Sequence, residues 1–153
     1  MNTNNIFRRW CWVLVVLFSV ILDNSVRAQA VMEPWKDSQL IEPAALAKVL
    51  ADPAAKTPLV FCIGPGAVVK GSIDMGAARD SVNLGKFRQR LAGLPKNTPL
   101  VIYCGCCPFV HCPNIRPAFR LLNEMGFTQA MLLDVPRNIK VDWIDKGYPV
   151  LPH

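Results

Sequence analysis

Three short, unbroken apolar runs stand out along the chain: Leu59-Val60-Phe61-Cys62-Ile63, Leu100-Val101-Ile102-Tyr103 and Ala130-Met131-Leu132-Leu133. Runs of this length without apolar/polar alternation suit strands buried on both faces, as in a parallel sheet. Segments with helical spacing lie between them. Glu42-Pro43 opens one helix, with proline early, where its missing N–H is harmless; Leu46, Val49 and Leu50 give it an apolar face and Asp52-Pro53 ends it. Phe87, Leu91 and Leu94 predict a helix over 85–94, and Ala118, Leu121, Leu122 and Met125 another over 115–125, closed by Gly126. Residues 31–40 read as an exposed entry segment with Trp35 docked on the body, 71–77 as a small strand or turn, and 105–114 as a loop. A last amphipathic turn or two carries Val141, Trp143 and Ile144 up to Gly147, with Trp143 in the core. Strands alternating with helices at these intervals predict an α/β domain: a central parallel sheet with helices on both faces. In such sheets ligands gather beyond the carboxyl ends of the strands, where Cys62 and Cys104 both fall.

The N-terminus has a pattern of its own. Arg8 and Arg9 precede an apolar stretch over residues 10–22, and Ala28-Gln29-Ala30 follows. The stretch is shorter than the roughly 20 residues a bilayer-spanning helix needs. A basic start, a short apolar run and a small-x-small end predict a secretory signal peptide over 1–30, with an uncleaved anchor as the alternative. Residues 31–153 then form a single domain, periplasmic or secreted, with no membrane span after cleavage. The full chain has 153 residues, 52% hydrophobic and 18% charged, too apolar for a disordered chain. Its net charge of +6 shrinks once Arg8, Arg9, Arg27 and Asp23 are set aside, and the remaining basic residues are scattered. No basic footprint for nucleic acid is present, and a mild preference for small anions fits the sign of the charge.

Cysteine usage changes the picture most. Besides Cys11, the chain carries Cys62, Cys104, Cys106, Cys107 and Cys112. An odd number in an exported domain cannot pair entirely within it, and a structural disulfide framework spreads its cysteines rather than crowding them between positions 104 and 112. The crowding points to a site. Cys104 stands where a buried strand gives way to a loop that feeds a helix. Loop N–H groups and the helix N-terminus favour thiolate there, and Arg116 near the helix start adds positive charge. Phe109 and Val110 pack the loop onto the body.

Tyr103-Cys104, the loop and helix behind it, and Met125-Gly126-Phe127 together resemble the rhodanese family. Trp143-Ile144-Asp145-Lys146-Gly147-Tyr148-Pro149-Val150 is similar to that family's Trp-x-x-x-Gly-Tyr-Pro-Val ending, and Gly71-Ser72-Ile73-Asp74-Met75-Gly76-Ala77 is a degraded Gly-His-Ile-Pro-Gly-Ala. The resemblance spans about residues 38–150. It implies a rhodanese-like fold and sulfurtransferase chemistry with Cys104 as catalytic nucleophile. It also implies that the strands ending at Cys62 and Cys104 are neighbours, which brings Cys62 within disulfide reach of the loop. The chain departs from the family in its loop: eleven residues separate Cys104 from Arg116, far more than the family's usual few, and three of them are cysteines. The family's Asp-x-Arg stands here as Cys62-Ile63-Gly64, and the histidine of Gly-His-Ile is Ser72.

Three readings of the loop follow. In sulfur transfer, Cys104 takes a sulfane sulfur as a persulfide and passes it to a nucleophile, so the partners are a small sulfur-containing substrate and a thiol acceptor protein. In thiol–disulfide exchange, Cys104 cycles with Cys106, Cys107, Cys112 or Cys62. In soft-metal binding, Cys106, Cys107, His111 and Cys112 supply the donors. His111 also fits a general base or a solvated loop residue. No Cys-x-x-Cys-His is present for covalent haem. The reading preferred from sequence is sulfurtransferase, with no resident cofactor and no metal assigned.

Overall fold

The computed structural model describes residues 32–152; the expected signal peptide lies outside the described residues. From Glu33 onward the chain forms one compact unit. Its centre is a five-stranded sheet of β1 (Leu40–Ile41), β2 (Leu59–Cys62), β3 (Ile73–Asp74), β4 (Leu100–Tyr103) and β5 (Ala130–Leu133). The strands are ordered β1-β5-β4-β2-β3, and every pair is parallel. Apolar runs fill β2, β4 and β5 because both faces of the sheet are covered; β4 is buried at all four positions.

On one face, α2 (Ser81–Ala92) and α3 (Ile115–Glu124) pack Phe87, Leu91, Ile115, Ala118, Phe119 and Leu122 against Phe61, Ile102 and Leu132. On the other, α1 (Pro43–Ala51) and the short α4 (Ile139–Asp142) with Trp143 behind it cover Val60, Val101 and Leu133. Trp143 is fully buried, edge-on to Tyr148, and its indole N–H donates to Pro149 O at 2.9 Å. Among the described residues no helix is long and apolar enough to cross a membrane.

The elements differ from the sequence pattern at their margins. β1 begins at the last residue of the stretch read as an entry segment; it pairs Leu40 with Leu132 and Ile41 with Leu133. Trp35 does dock, with ring centroids 6.2 Å from Phe109 and 5.8 Å from Phe119. Helix α2 starts at Ser81 rather than 85 because the Asp80 carboxylate accepts from the N–H groups of Val82 and Asn83 and caps it there. Ala47 takes the buried place expected of Val49 in α1, and Ile144 is exposed.

The order of strands fixes where a site can form. From β2 the chain moves outward to β3, and from β4 it moves the opposite way to β5. The segments leaving β2 and β4 therefore diverge, and the crevice between them at the carboxyl ends is the switch point at which α/β sheets hold ligands.

Candidate active site

Cys104 is the first residue beyond β4, and Gly64 follows β2 across the crevice. The pairing of Cys62 with Tyr103 continues as a hydrogen bond from Ile63 N to Tyr103 O at 2.9 Å. Successive residues of a strand face opposite ways. Cys62 shares a face with Tyr103, among the residues covered by α1, whereas Cys104 turns to the face covered by α2 and α3. The sequence expectation that Cys62 joins the loop thiols is corrected by this alternation. Its sulfur donates instead to Gly66 O at 3.3 Å, and burial pushes its pKa up. Tyr103 is structural: its hydroxyl accepts from Val68 N at 2.8 Å and Val69 N at 3.2 Å, and pairs with Ser72 Oγ at 3.1 Å.

The loop gathers three sulfurs. The Sγ atoms of Cys104, Cys106 and Cys112 lie within 4.8 Å of one another. Cys104 and Cys112 are buried and Cys106 is exposed. Cys106 Sγ is 3.4 Å from Cys104 Sγ and 3.3 Å from that of Cys107, which is half-buried. Three sulfurs this close can share one soft cation. This set replaces the one drawn from spacing, because His111 is exposed on a 3-10 turn over Phe109–His111 and, with Cys107, lies outside the group.

The loop is pinned where it passes the body. Gly105 O accepts from Ile139 N at 2.9 Å, and Phe109 N donates to Val135 O at 3.0 Å. A Cβ on Gly105 would come within 2.7 Å of the Ile139 side chain, so only glycine permits that approach. Arg116 does not face Cys104, contrary to the sequence expectation. Its guanidinium pairs with Glu33, donates to Val110 O at 2.9 Å and lies over the Trp35 ring. It ties the loop to the entry segment.

Asn114 is the residue that sequence reasoning missed. It is 3% exposed, just before α3. Its Oδ1 accepts from Arg79 N at 3.0 Å, which turns its Nδ2 toward Cys104 Sγ, a donor at 3.4 Å. The Cys112 thiol makes the largest contribution at Cys104, followed against burial by Asn114 Nδ2 and by the N–H and thiol of Cys106. Together they push the Cys104 pKa down to about 5. The neighbours shift the other way. Pairing with Cys104, then burial, raises Cys112 far above the usual thiol value. Partial desolvation beside the loop, then the Cys107 and Cys104 sulfurs, pushes the otherwise exposed Cys106 up to about 12. The opposed shifts favour one thiolate in the cluster, centred on Cys104.

Donors to the charged form lower a thiol pKa, so removing one raises it. In Asn114→Leu the ultraviolet thiolate absorbance should therefore titrate at higher pH than in the wild type, whose midpoint should lie near 5. Identical midpoints in the two proteins would contradict the role given to the amide.

Compared with known proteins, the chain matches no family model, no curated protein and no solved structure.

Proposed function

We propose that this chain is an exported, rhodanese-like sulfurtransferase that carries a sulfane sulfur as a persulfide on Cys104. The observation that carries the reading is the Cys104 thiolate, pushed down to about 5 by its donors and placed at the switch-point crevice. A thiolate, not a thiol, attacks sulfane sulfur. With thiosulfate, the Cys104 sulfur bonds to the outer sulfur and sulfite leaves; with a low-molecular-weight persulfide, its thiolate leaves. The acceptor is a thiol that attacks the outer sulfur of the Cys104 persulfide and regenerates Cys104.

The fold supports the reading through its all-parallel order and its strand–cysteine–loop–helix unit, and the sequence through its Trp-x-x-x-Gly-Tyr-Pro-Val ending. Export, with cleavage after Ala30, belongs to the same proposal. A second reading, thiol–disulfide exchange or soft-cation binding by the loop, draws on the three clustered sulfurs.

The test is uptake. Fully reduced protein is mixed with thiosulfate or glutathione persulfide, freed of excess donor and weighed at once by intact mass spectrometry. A gain of one sulfur, mapped to the peptide containing Cys104, is the expected result. If no donor adds sulfur to the wild type or to Cys106→Ser, the sulfurtransferase reading falls.

A further inference from the structure

We infer that Cys106 is the resolving thiol of this site: it attacks the Cys104 sulfur of a persulfide, closes a Cys104–Cys106 disulfide and expels the carried sulfur as hydrogen sulfide. The inference rests on the sulfurtransferase reading and adds the fate of the sulfur when no acceptor is present. Cys106 Sγ stands 3.4 Å from Cys104 Sγ, within the range of about 3–3.5 Å at which a nucleophile is poised for attack. The chain bends at Cys106-Cys107, and closing so short a loop costs little entropy.

Exposure separates the candidate partners. Cys112 is also near, its sulfur within 4.8 Å of Cys104 Sγ, but it is 0% exposed. Cys106 is exposed, so its proton and the departing sulfide both have a way to water.

The step balances without an added oxidant. The Cys106 sulfur bonds to Cys104 Sγ, the bond between Cys104 Sγ and the outer sulfur breaks, and its electron pair leaves with the outer sulfur. That sulfane sulfur is reduced to sulfide, and the two cysteine sulfurs are oxidised to a disulfide. Loading turns the Cys104 thiolate, which helps hold Cys106 protonated, into a persulfide; the Cys106 proton passes to water as its sulfur attacks, and thence to the departing sulfide. Return to the dithiol takes a dithiol reductant attacking the exposed Cys106 sulfur. Cys104 is then expelled, and a low-pKa thiol is the faster leaving group. The arrangement makes the domain a sulfide-releasing relay whose disulfide blocks a second loading until a reductant clears it.

The test separates loading from release. Protein is loaded with glutathione persulfide, desalted, and followed without added thiol by sulfide assay and intact mass. The wild type should release one equivalent of sulfide while its mass falls to two hydrogens below that of the reduced protein. Cys106→Ser should load, retain the added sulfur and release sulfide roughly tenfold or more slower. Cys107→Ser, which lacks the sulfur that helps raise Cys106, should release sulfide at least as fast as the wild type. Stable persulfide on the wild type overturns the inference and leaves the sulfurtransferase reading standing. Undiminished release from Cys106→Ser, or a bridge mapped to Cys104–Cys112, overturns it in favour of another resolver. Failure of every form to load sulfur overturns both.

Discussion

Cys104→Ser should take up no sulfane sulfur, and its transfer rate should fall by roughly a thousandfold or more, because no other thiol of the cluster is held ionised. The substitution keeps the size of the side chain, so the fold should survive, and the loss should appear in sulfur transfer from thiosulfate to a thiol or cyanide acceptor. The same variant should also change how stability depends on pH. A folded-state pKa depressed from 9.0 to about 5 adds stability that is fully present above the unfolded value and is lost as pH falls through about 5. Between pH 7 and pH 5 the wild type should lose on the order of 2 kcal/mol relative to Cys104→Ser. Denaturant melts of both proteins at the two pH values measure the difference. Parallel curves would mean that Cys104 is not ionised in the native state. Equal transfer rates would remove it from the chemistry.

Gly64→Ala should harm stability and thiolate together. A Cβ at position 64 would sit 2.6 Å from Cys104 Sγ, while the next nearest atoms, Cα and Cβ of Cys104, are at 3.4 and 3.5 Å. The sulfur alone is the obstacle. Either it stays and the crevice is overpacked, at about 1–3 kcal/mol, or it swings away from Asn114 and Cys112 and its pKa rises toward the ordinary thiol value. A double-mutant cycle distinguishes this contact from a general effect of alanine in the loop. Cys104→Ala removes the obstructing sulfur, so Gly64→Ala should cost little in that background. Additive losses of stability would show that the two residues do not meet.

The long elements were legible in the sequence because their patterns are local. The apolar runs at β2, β4 and β5 and the helical spacing around Phe87 and Leu121 need no knowledge of partners. β1 was not legible: two residues carry no period, and Leu40-Ile41 is a strand only because β5 lies beside it. The site divides the same way. Cys104 could be located from its place at a strand end. Asn114 could not, because its orientation depends on Arg79 N, 35 residues earlier in the chain. Nor could the fate of Cys62, which turns on a register of Cys62 against Tyr103 rather than Cys104. Arg116 was assigned to the sulfur for want of its true partner, Glu33, in the entry segment. Proximity in sequence identified the thiols of the loop, but only the folded loop selected Cys104, Cys106 and Cys112 and left His111 out.

β1 and β3, the outermost strands of the sheet, are each two residues long. An unpaired strand edge is a template on which another chain can add by hydrogen bonding, and long flat edges seed aggregates. Here the strongly apolar strands β2, β4 and β5 are enclosed, and what faces outward along the ladder is too short to bind a further strand in register. Among the described residues, crowded copies of this domain therefore meet only two-residue sheet edges, which disfavours edge-to-edge polymerisation at high local concentration.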